Sequence, residues 1–235
     1  MIFFAIDETL IDHASASATA SLSFYDYFSG GMPCDRQGFP VIWESILMNH
    51  FQRFARGEIS LWEQRRARMR EIFRDPGLTD ADCDSRYRVF MEHYEARCEA
   101  YPDAVPCQRR LDGNALGIIS NGGREQQTKK LKRAGVLQYF SVFVFSEDVG
   151  VGKPAPGIFL EACRQAGVQP AACAHIGDDA VADVAPSQAL GMRAIWLDRP
   201  GVEASSISAT RISNLHDLES ALSGDAHAET VFERN

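Results

Sequence analysis

The chain has 235 residues, 45% of them hydrophobic and 24% charged, a composition typical of a globular protein with one large domain or two smaller ones. Its formal net charge is −8 and its Lys and Arg residues are dispersed, which argues against a nucleic-acid partner. The sequence shows no basic leader segment and no apolar run of about 18 residues, so we expect no membrane association and a cytoplasmic location.

Five short apolar runs predict strands: Ile2–Ile6, Ala115–Ser120, Val142–Ser146, Cys173–Gly177 and Ala194–Leu197. After the second run, amphipathic stretches such as Gln126–Ala134 and Gly157–Ala166 predict intervening helices. This alternation predicts a three-layer α/β/α core, in which a parallel sheet has helices on both faces.

The long stretch between the first two runs has no convincing strand, and its apolar residues recur at helical spacing, as at Trp43, Ile46 and Leu47 and again at His50, Phe51 and Phe54. We therefore predict an α-helical domain at residues 13–100, inserted into a core of residues 1–12 and 101–235. Expected helix breaks lie at 30–33, 56–58 and 75–80, where Thr79 or Asp80 can cap the next helix. The small residues of Ala14–Ser21 predict a helix, and we expect the residues after Leu222 to fray.

Polar side chains follow several of the predicted strands. Asp7 lies two residues after Ala5, so both should project to one side at the carboxyl end of the first strand, the edge where parallel sheets bind ligands. Ser120 and Asn121 end the second run, where backbone N–H groups before the next helix can hold a phosphate. Ser-Asn-Gly is also ordinary turn sequence.

Further charged residues follow the third and fourth runs. Lys153 precedes Pro154 on a loop, where it could equally be a solvated lysine. Asp178, Asp179 and Asp183 follow the fourth run, and such oxygen ligands suit Mg²⁺. The six cysteines and six histidines have no zinc-binding spacing, so we expect reduced thiols and any metal on oxygen atoms.

In their order and spacing these motifs resemble those of the haloacid dehalogenase (HAD) superfamily, and they are Phe4–Leu10, Ile118–Asn121, Lys153-Pro154 and Gly177–Asp183. The resemblance implies a Rossmann-like core and identifies the helical insert as a cap domain. Within that insert, Gly57–Ser60 with Glu63 and Arg66 resembles the caps of small-molecule phosphatases. The implied activity is Mg²⁺-dependent hydrolysis of a small phosphorylated metabolite through an aspartyl-phosphate.

The resemblance also implies a role for each matching residue. Asp7 would be the general acid and would bind Mg²⁺ through its backbone carbonyl, and Asp178 would be a direct metal ligand. Ser120 and the Asn121 amide would hydrogen-bond the phosphoryl group, whose charge Lys153 would neutralise. Asp183 would orient Lys153 or a metal-bound water, and Thr9 would brace the first loop.

Position 5 departs from the family pattern, because the superfamily places its nucleophilic aspartate, which is also a metal ligand, where this chain has Ala5. A methyl group can neither attack phosphorus nor bind a metal, so we expect activity near background. Either an aspartate has been replaced to trap a substrate, which the retention of the other motif residues favours, or the protein is a natural pseudophosphatase that binds a phosphorylated ligand or a partner protein.

Other activities remain open on the same fold. A dehalogenase is disfavoured because Asp7 suits an alkoxide leaving group. A phosphomutase remains possible because it uses the same acids. A scaffold protein that uses the cap for protein contacts is a further alternative, from a different functional class. Cap residues should set specificity, with candidates His13, Arg53, Arg65 and Arg66, although arginines on amphipathic helices are more often solvated or paired. The sequence does not indicate an oligomeric state.

Overall fold

The computed structural model describes residues 1–29, 32, 34–201 and 208–224. The break predicted at residues 30–33 therefore lies, except for Met32, outside the described residues. The fraying expected at the carboxyl terminus lies outside them from residue 225 onward.

Six parallel strands form one sheet in the order β3-β2-β1-β4-β5-β6. The strands are β1 (Ile2–Phe4), β2 (Leu116–Ser120), β3 (Val142–Phe145), β4 (Ala174–Gly177), β5 (Arg193–Leu197) and β6 (Thr210–Ile212). The predicted parallel α/β core and its first five strands are confirmed, whereas β6 was not predicted. In β1, Phe4 aligns with Ile118 on one side and with Ile176 on the other, so three carboxyl ends lie together.

Helices cover both faces of this sheet, so its strands are apolar in continuous runs rather than in alternation. Phe3 packs with Ile158 and Phe159 on one face, whereas Phe4 belongs to the larger core on the other face, together with Leu131. The helices of this unit are α5 (Ala104–Arg110), α6 (Arg124–Arg133), α7 (Ser146–Val149), α8 (Pro156–Ala166), α9 (Ala185–Ala189) and α10 (Leu218–Ser223).

The insert between β1 and α5 is helical, as predicted. It contains α1 (His13–Tyr27), α2 (Phe39–Ala55), α3 (Leu61–Ile72) and α4 (Asp80–Glu95), which pack against one another. The breaks at 56–58 and 75–80 are confirmed, because Ser60 forms a capping box with Glu63 at the start of α3 and Thr79 caps α4.

The two chain segments that join the insert to the sheet run side by side. The Asp12 amide donates to the Glu99 carbonyl at 3.1 Å, and the Tyr101 amide donates to the Leu10 carbonyl at 2.9 Å. A domain division at residues 12/13 and 100/101 stays a prediction. Among the described helices, none combines the length and hydropathy needed to cross a membrane.

Candidate active site

The loops that follow β1, β2 and β4 meet at one edge of the sheet. The Ala5 amide, just beyond β1, donates to the Ile176 carbonyl of β4 at 2.9 Å. This places the first motif loop directly beside the loop that carries Asp178. Ala5 itself is buried, with 2% of its surface exposed.

Asp7 forms an ion pair with a lysine from helix α6. Lys130 Nζ lies 2.7 Å from Asp7 Oδ1, and Gln127 Nε2 donates to Asp7 Oδ2 at 3.2 Å. Burial alone would raise the pKa of Asp7, but Lys130, His13 and these hydrogen bonds lower it to about 2. Asp7 is therefore ionised at neutral pH in this arrangement.

Residues of the helical insert complete the surroundings of Asp7. His13 Nδ1 lies 4.0 Å from Asp7 Oδ1 and 2.6 Å from the Tyr94 hydroxyl oxygen. Lys130 Nζ lies 5.0 Å from the centre of the Tyr94 ring. Burial lowers the pKa of His13 to about 4, so the imidazole is neutral near pH 7. Helices α1, α4 and α6 thus contribute to one buried polar cluster.

Asp178 forms no ion pair within 4.0 Å with a described residue, although the charge of Lys153 acts on it. Its Oδ1 accepts a hydrogen bond from the Thr9 hydroxyl at 3.1 Å, and its backbone carbonyl accepts one from Trp196 Nε1 at 2.9 Å. Burial, followed by repulsion from Asp183, raises the pKa of Asp178 to about 7. A divalent cation bound there would remove this penalty.

These oxygens fit Mg²⁺, with one carboxylate fewer than the family pattern. No backbone N–H in the described ranges donates to the Asp7 carbonyl, so that oxygen remains a candidate metal ligand. Ala5 contributes no side-chain oxygen. No cluster of three or more His, Cys, Asp or Glu side chains with metal-binding geometry occurs among the described residues.

The side chain of Lys153 pairs with the buried carboxylate of Asp183. Its Nζ donates to Asp183 Oδ1 at 2.5 Å, and the same carboxylate oxygen lies 2.9 Å from His175 Nε2. Attraction by Lys153 and His175 outweighs burial and holds the pKa of Asp183 well below its usual range. This is the contact that an orienting role for Asp183 requires, and that role stays a prediction.

The Asn121 side chain clamps the backbone of Lys153. Its Nδ2 donates to the Lys153 carbonyl at 2.8 Å, and its Oδ1 accepts from the Lys153 amide at 2.6 Å. A Cβ at Gly152 would lie 2.7 Å from Asn121 Oδ1, so glycine permits this close approach. The side chain of Asn121 thus positions Lys153, whereas its backbone amide remains the candidate phosphate donor. Ser120, at the end of β2, is buried, with 3% of its surface exposed.

The four specificity candidates do not lie together. His13 is beside Asp7, and Arg65 Nη2 donates to Gln126 Oε1 of α6 at 2.7 Å. Arg53 Nε lies 3.6 Å from Glu58 Oε2, and Arg66 pairs with Asp80 and Asp84, so both arginines form ion pairs within the helical insert.

Comparison with known proteins shows the family of this chain. The family model for haloacid dehalogenase-like hydrolases matches residues 2–191. The chain belongs to this family. Along 231 residues it is 30% identical to the pyrimidine 5'-nucleotidase YjjG of Escherichia coli, covering 94% of this chain and 96% of that protein. It is also 33% identical to the phosphoserine phosphatase of Thermus thermophilus over 133 residues, which span 54% of this chain and about half, 53%, of that relative.

Solved structures of HAD proteins share the fold. The HAD hydrolase YfnB of Bacillus subtilis superimposes with a TM-score of 0.78 at 21% identity, covering 94% of this chain and 97% of that one. A 2-haloacid dehalogenase from Pseudomonas syringae pv. Tomato gives 0.72 at 28% identity, covering 96% and 98%. A HAD hydrolase and a 2-haloacid dehalogenase therefore share the fold of this chain.

Sequence reasoning missed several residues at this HAD site, namely Lys130, Gln127, Tyr94 and His175. A signal for two of them exists in α6, whose buried positions Gln127, Lys130 and Leu131 follow helical spacing. Polar residues at core-facing positions of a helix need buried partners, and here that partner is Asp7.

Proposed function

We propose that this HAD hydrolase is built to hydrolyse a small phosphomonoester with Mg²⁺, and that Ala5 leaves it able to bind the substrate but not to turn it over. One observation carries the proposal: a buried cation, Lys153, is fixed by Asp183 and Asn121 at the sheet edge that also carries Ser120 and Asp178. This edge offers a site for a phosphoryl group beside a carboxylate suited to a divalent cation.

The protein groups have separate tasks in this proposal. Ser120, the Asn121 backbone amide and Lys153 hold the phosphoryl oxygens. Asp178 and the Asp7 carbonyl would hold Mg²⁺, which supplies charge neutralisation at the phosphoryl group. A bound phosphoryl dianion would oppose the effect of Lys130 and raise the pKa of Asp7 toward that of an acid able to protonate the leaving oxygen.

Position 5 decides whether a bond is broken. An aspartate there would attack phosphorus as its carboxylate, while the P–O bond to the leaving group breaks and Asp7 gives that oxygen a proton. Water would then hydrolyse the acyl-phosphate, releasing phosphate and restoring the carboxylate. Ala5 removes the first step, and retention of Asp7, Ser120, Lys153 and Asp178 favours the replacement of an aspartate.

The named relatives support phosphomonoesters over halides as substrates. The pyrimidine 5'-nucleotidase aligns along nearly the whole chain, and the phosphoserine phosphatase along about half of it. The dehalogenase neighbour is similar in fold at lower identity. Asp7, two residues after the nucleophile position, suits an alkoxide leaving group, which a halide does not require.

Binding without catalysis is the second candidate function. The Asp7–Lys130 pair favours it, because an acid with a pKa of about 2 is a poor proton donor at neutral pH. In that case the chain would be a natural pseudophosphatase, and restoring the nucleophile would not produce turnover.

The test compares the present chain with Ala5→Asp and Ala5→Asn on a panel of sugar phosphates, nucleoside monophosphates and phosphorylated organic acids with Mg²⁺. We expect phosphate release only from Ala5→Asp, and phosphate-ester binding by the present chain. Ala5→Asn controls for side-chain size without supplying a nucleophile. Binding without turnover in all three forms would favour the pseudophosphatase, and no binding in any form would refute both candidates.

A further inference from the structure

Arg68 of the cap helix α3 is a buried cation with unused hydrogen-bond donors. It is 2% exposed, and its Nε and Nη2 donate to no described residue. No ion pair within 4.0 Å joins it to a described carboxylate. Burial lowers the pKa of Arg68, whereas the charges of Tyr87 and Glu44 and a side-chain hydrogen bond with Tyr87 raise it. A buried guanidinium without a carboxylate at hydrogen-bond distance from its Nε and Nη2 is costly, so these two atoms call for an anion that arrives with a ligand.

Aromatic rings surround the guanidinium group. Its central carbon lies 4.9 Å from the centre of the Trp43 ring, 5.4 Å from that of Tyr87 and 5.9 Å from that of Phe90. Rings of this kind stabilise the cation but cannot accept its N–H groups in a strong hydrogen bond. The Nε and Nη2 edge therefore remains for an oxygen ligand.

Arg68 lies on the side of the cap that meets the candidate active site. It is one helical turn after Arg65, which donates to Gln126 of the core helix α6. Its charge contributes to the lowered pKa of His13, whose Nδ1 is 4.0 Å from Asp7. Burial and the charge of Glu8 in the first motif loop raise the pKa of Glu44, whereas the charge of Arg68 lowers it.

The unused edge of Arg68 is the one with which other arginines of this protein bind carboxylates. Arg36 Nε and Nη2 donate to the two carboxylate oxygens of Asp26 at 2.6 and 2.9 Å. Arg66 uses the same two atoms for Asp84 at 2.8 and 2.7 Å. Arg164 does so for Glu161, at 2.7 Å for both bonds. This side-on pairing fits the planar geometry of a carboxylate.

We propose that Arg68 is a specificity-determining residue that binds a carboxylate on the leaving group of the phosphomonoester. The inference rests on the proposed function and adds the substrate class, phosphorylated organic acids. The core would hold the phosphoryl group, and the cap would select leaving groups by the second anion.

Matched ligand pairs test the proposal by calorimetric binding to the present chain with Mg²⁺. The pairs are O-phosphoserine with O-phosphoethanolamine, 3-phosphoglycerate with glycerol 3-phosphate, and 2-phosphoglycolate with ethyl phosphate, which differ in the carboxylate. We expect the carboxylated member of at least one pair to bind roughly 10-fold to 100-fold more tightly, as a charge-assisted bidentate contact should give.

Variants at position 68 identify the source of that preference. Arg68→Met should remove it, and Arg68→Lys, which keeps the charge without the fork, should retain only part of it. Arg70→Met is the matched control, because Arg70 on the same helix already donates to Leu78 and Asp80 and should leave the preference unchanged. Circular dichroism establishes that each variant is folded.

The same pairs, assayed for turnover with Ala5→Asp, separate the two proposals. Turnover without a carboxylate preference, or an Arg68→Lys variant that weakens both members of a pair equally, would overturn the role of Arg68 and leave the phosphatase intact. Preference for pyrimidine nucleoside monophosphates, which have no carboxylate, would also overturn the role of Arg68 and leave the phosphatase intact. Absence of both binding and turnover across the panel would overturn both proposals.

Discussion

Lys130 and Asp7 form an ion pair between α6 and the first motif loop, with 2.7 Å between Nζ and Oδ1. The side chain of Lys130 is 2% exposed and that of Asp7 is 29% exposed. Nearly all of the lysine is therefore withdrawn from water, and its charge is compensated chiefly at the residue that we propose as the general acid. The pair links the stability of the fold to the protonation of the site.

Replacing Lys130 by methionine should destabilise the protein. The variant leaves the Asp7 carboxylate in a largely buried position without its cation, and breaking such a pair costs about 3 kcal/mol when one partner stays buried. Urea unfolding at pH 7 measures the loss. Lys129→Met is the matched control, because Lys129 is an exposed neighbour that pairs with the exposed Glu125, and its loss should leave the free energy of unfolding nearly unchanged.

The cost of Lys130→Met should depend on pH with a definite sign. The pKa of Asp7 is about 2 in the folded protein, below its ordinary value of 3.8, so its contribution to stability is complete above pH 3.8 and is lost as the pH falls toward 2. The difference between parent and variant should therefore shrink below pH 4. A constant difference from pH 7 to pH 3 would contradict the ion-pair account.

Mg²⁺ should bind more tightly as the pH rises from 6 to 8. Asp178 has a pKa of about 7 because it is buried and close to Asp183, so a proton must leave before the carboxylate can bind a cation. For one such proton, the apparent affinity should rise roughly tenfold over these two pH units. Calorimetry in buffers of different ionisation enthalpy measures both the affinity and the released proton.

Asp178→Asn provides the control for this pH dependence. The amide is similar in size but does not titrate. Mg²⁺ binding should therefore weaken, and the Mg²⁺ affinity should no longer depend on pH between 6 and 8. Equal Mg²⁺ affinities at pH 6 and pH 8 in the parent chain would mean that Asp178 is not the ligand whose proton is displaced.

The sequence was sufficient to predict the parallel core, because its strands are buried on both faces and therefore appear as continuous apolar runs. Strand β6 (Thr210–Ile212) escaped this reasoning because it is three residues long and includes the exposed Arg211. The helix breaks at 56–58 and 75–80 could be predicted because Gly, Pro and capping residues act locally.

The site was predictable only where its residues follow strand ends. Asp7, Ser120 and Asp178 lie at the ends of apolar runs, so position alone indicates that they share an edge. Lys130 lies within helix α6, and its contact with Asp7 depends on how that helix packs. Tertiary contacts of that kind leave no spacing pattern in the sequence.

Ala5→Asp should make stability depend on Mg²⁺ more strongly than in the present chain. Ala5 is 2% exposed and its amide is hydrogen-bonded to β4, so an aspartate carboxylate at this position would be buried near Asp178. The buried carboxylate would destabilise the metal-free protein. Mg²⁺ at 100 times its dissociation constant stabilises a folded protein by about 2.7 kcal/mol. Thermal unfolding with and without Mg²⁺ should show a larger increase for Ala5→Asp than for either the parent or Ala5→Asn. Equal increases would show that position 5 adds no metal ligand.

Gly177→Ala should damage the site through Asp183. A Cβ at the end of β4 would lie 2.5 Å from Asp183 Oδ2, and that carboxylate cannot move freely because Lys153 and His175 hold its other oxygen. Overpacking of this kind costs about 1–3 kcal/mol, and displacement of Asp183 should also release Lys153 and weaken phosphate binding.

Gly157→Ala is the matched control, because its Cβ would meet only Val151 at 3.3 Å within helix α8, where alanine is the better helix former. Urea unfolding and calorimetry with inorganic phosphate measure the two effects. If Gly177→Ala lost stability but bound phosphate as the parent does, Asp183 would not position Lys153 for phosphate binding.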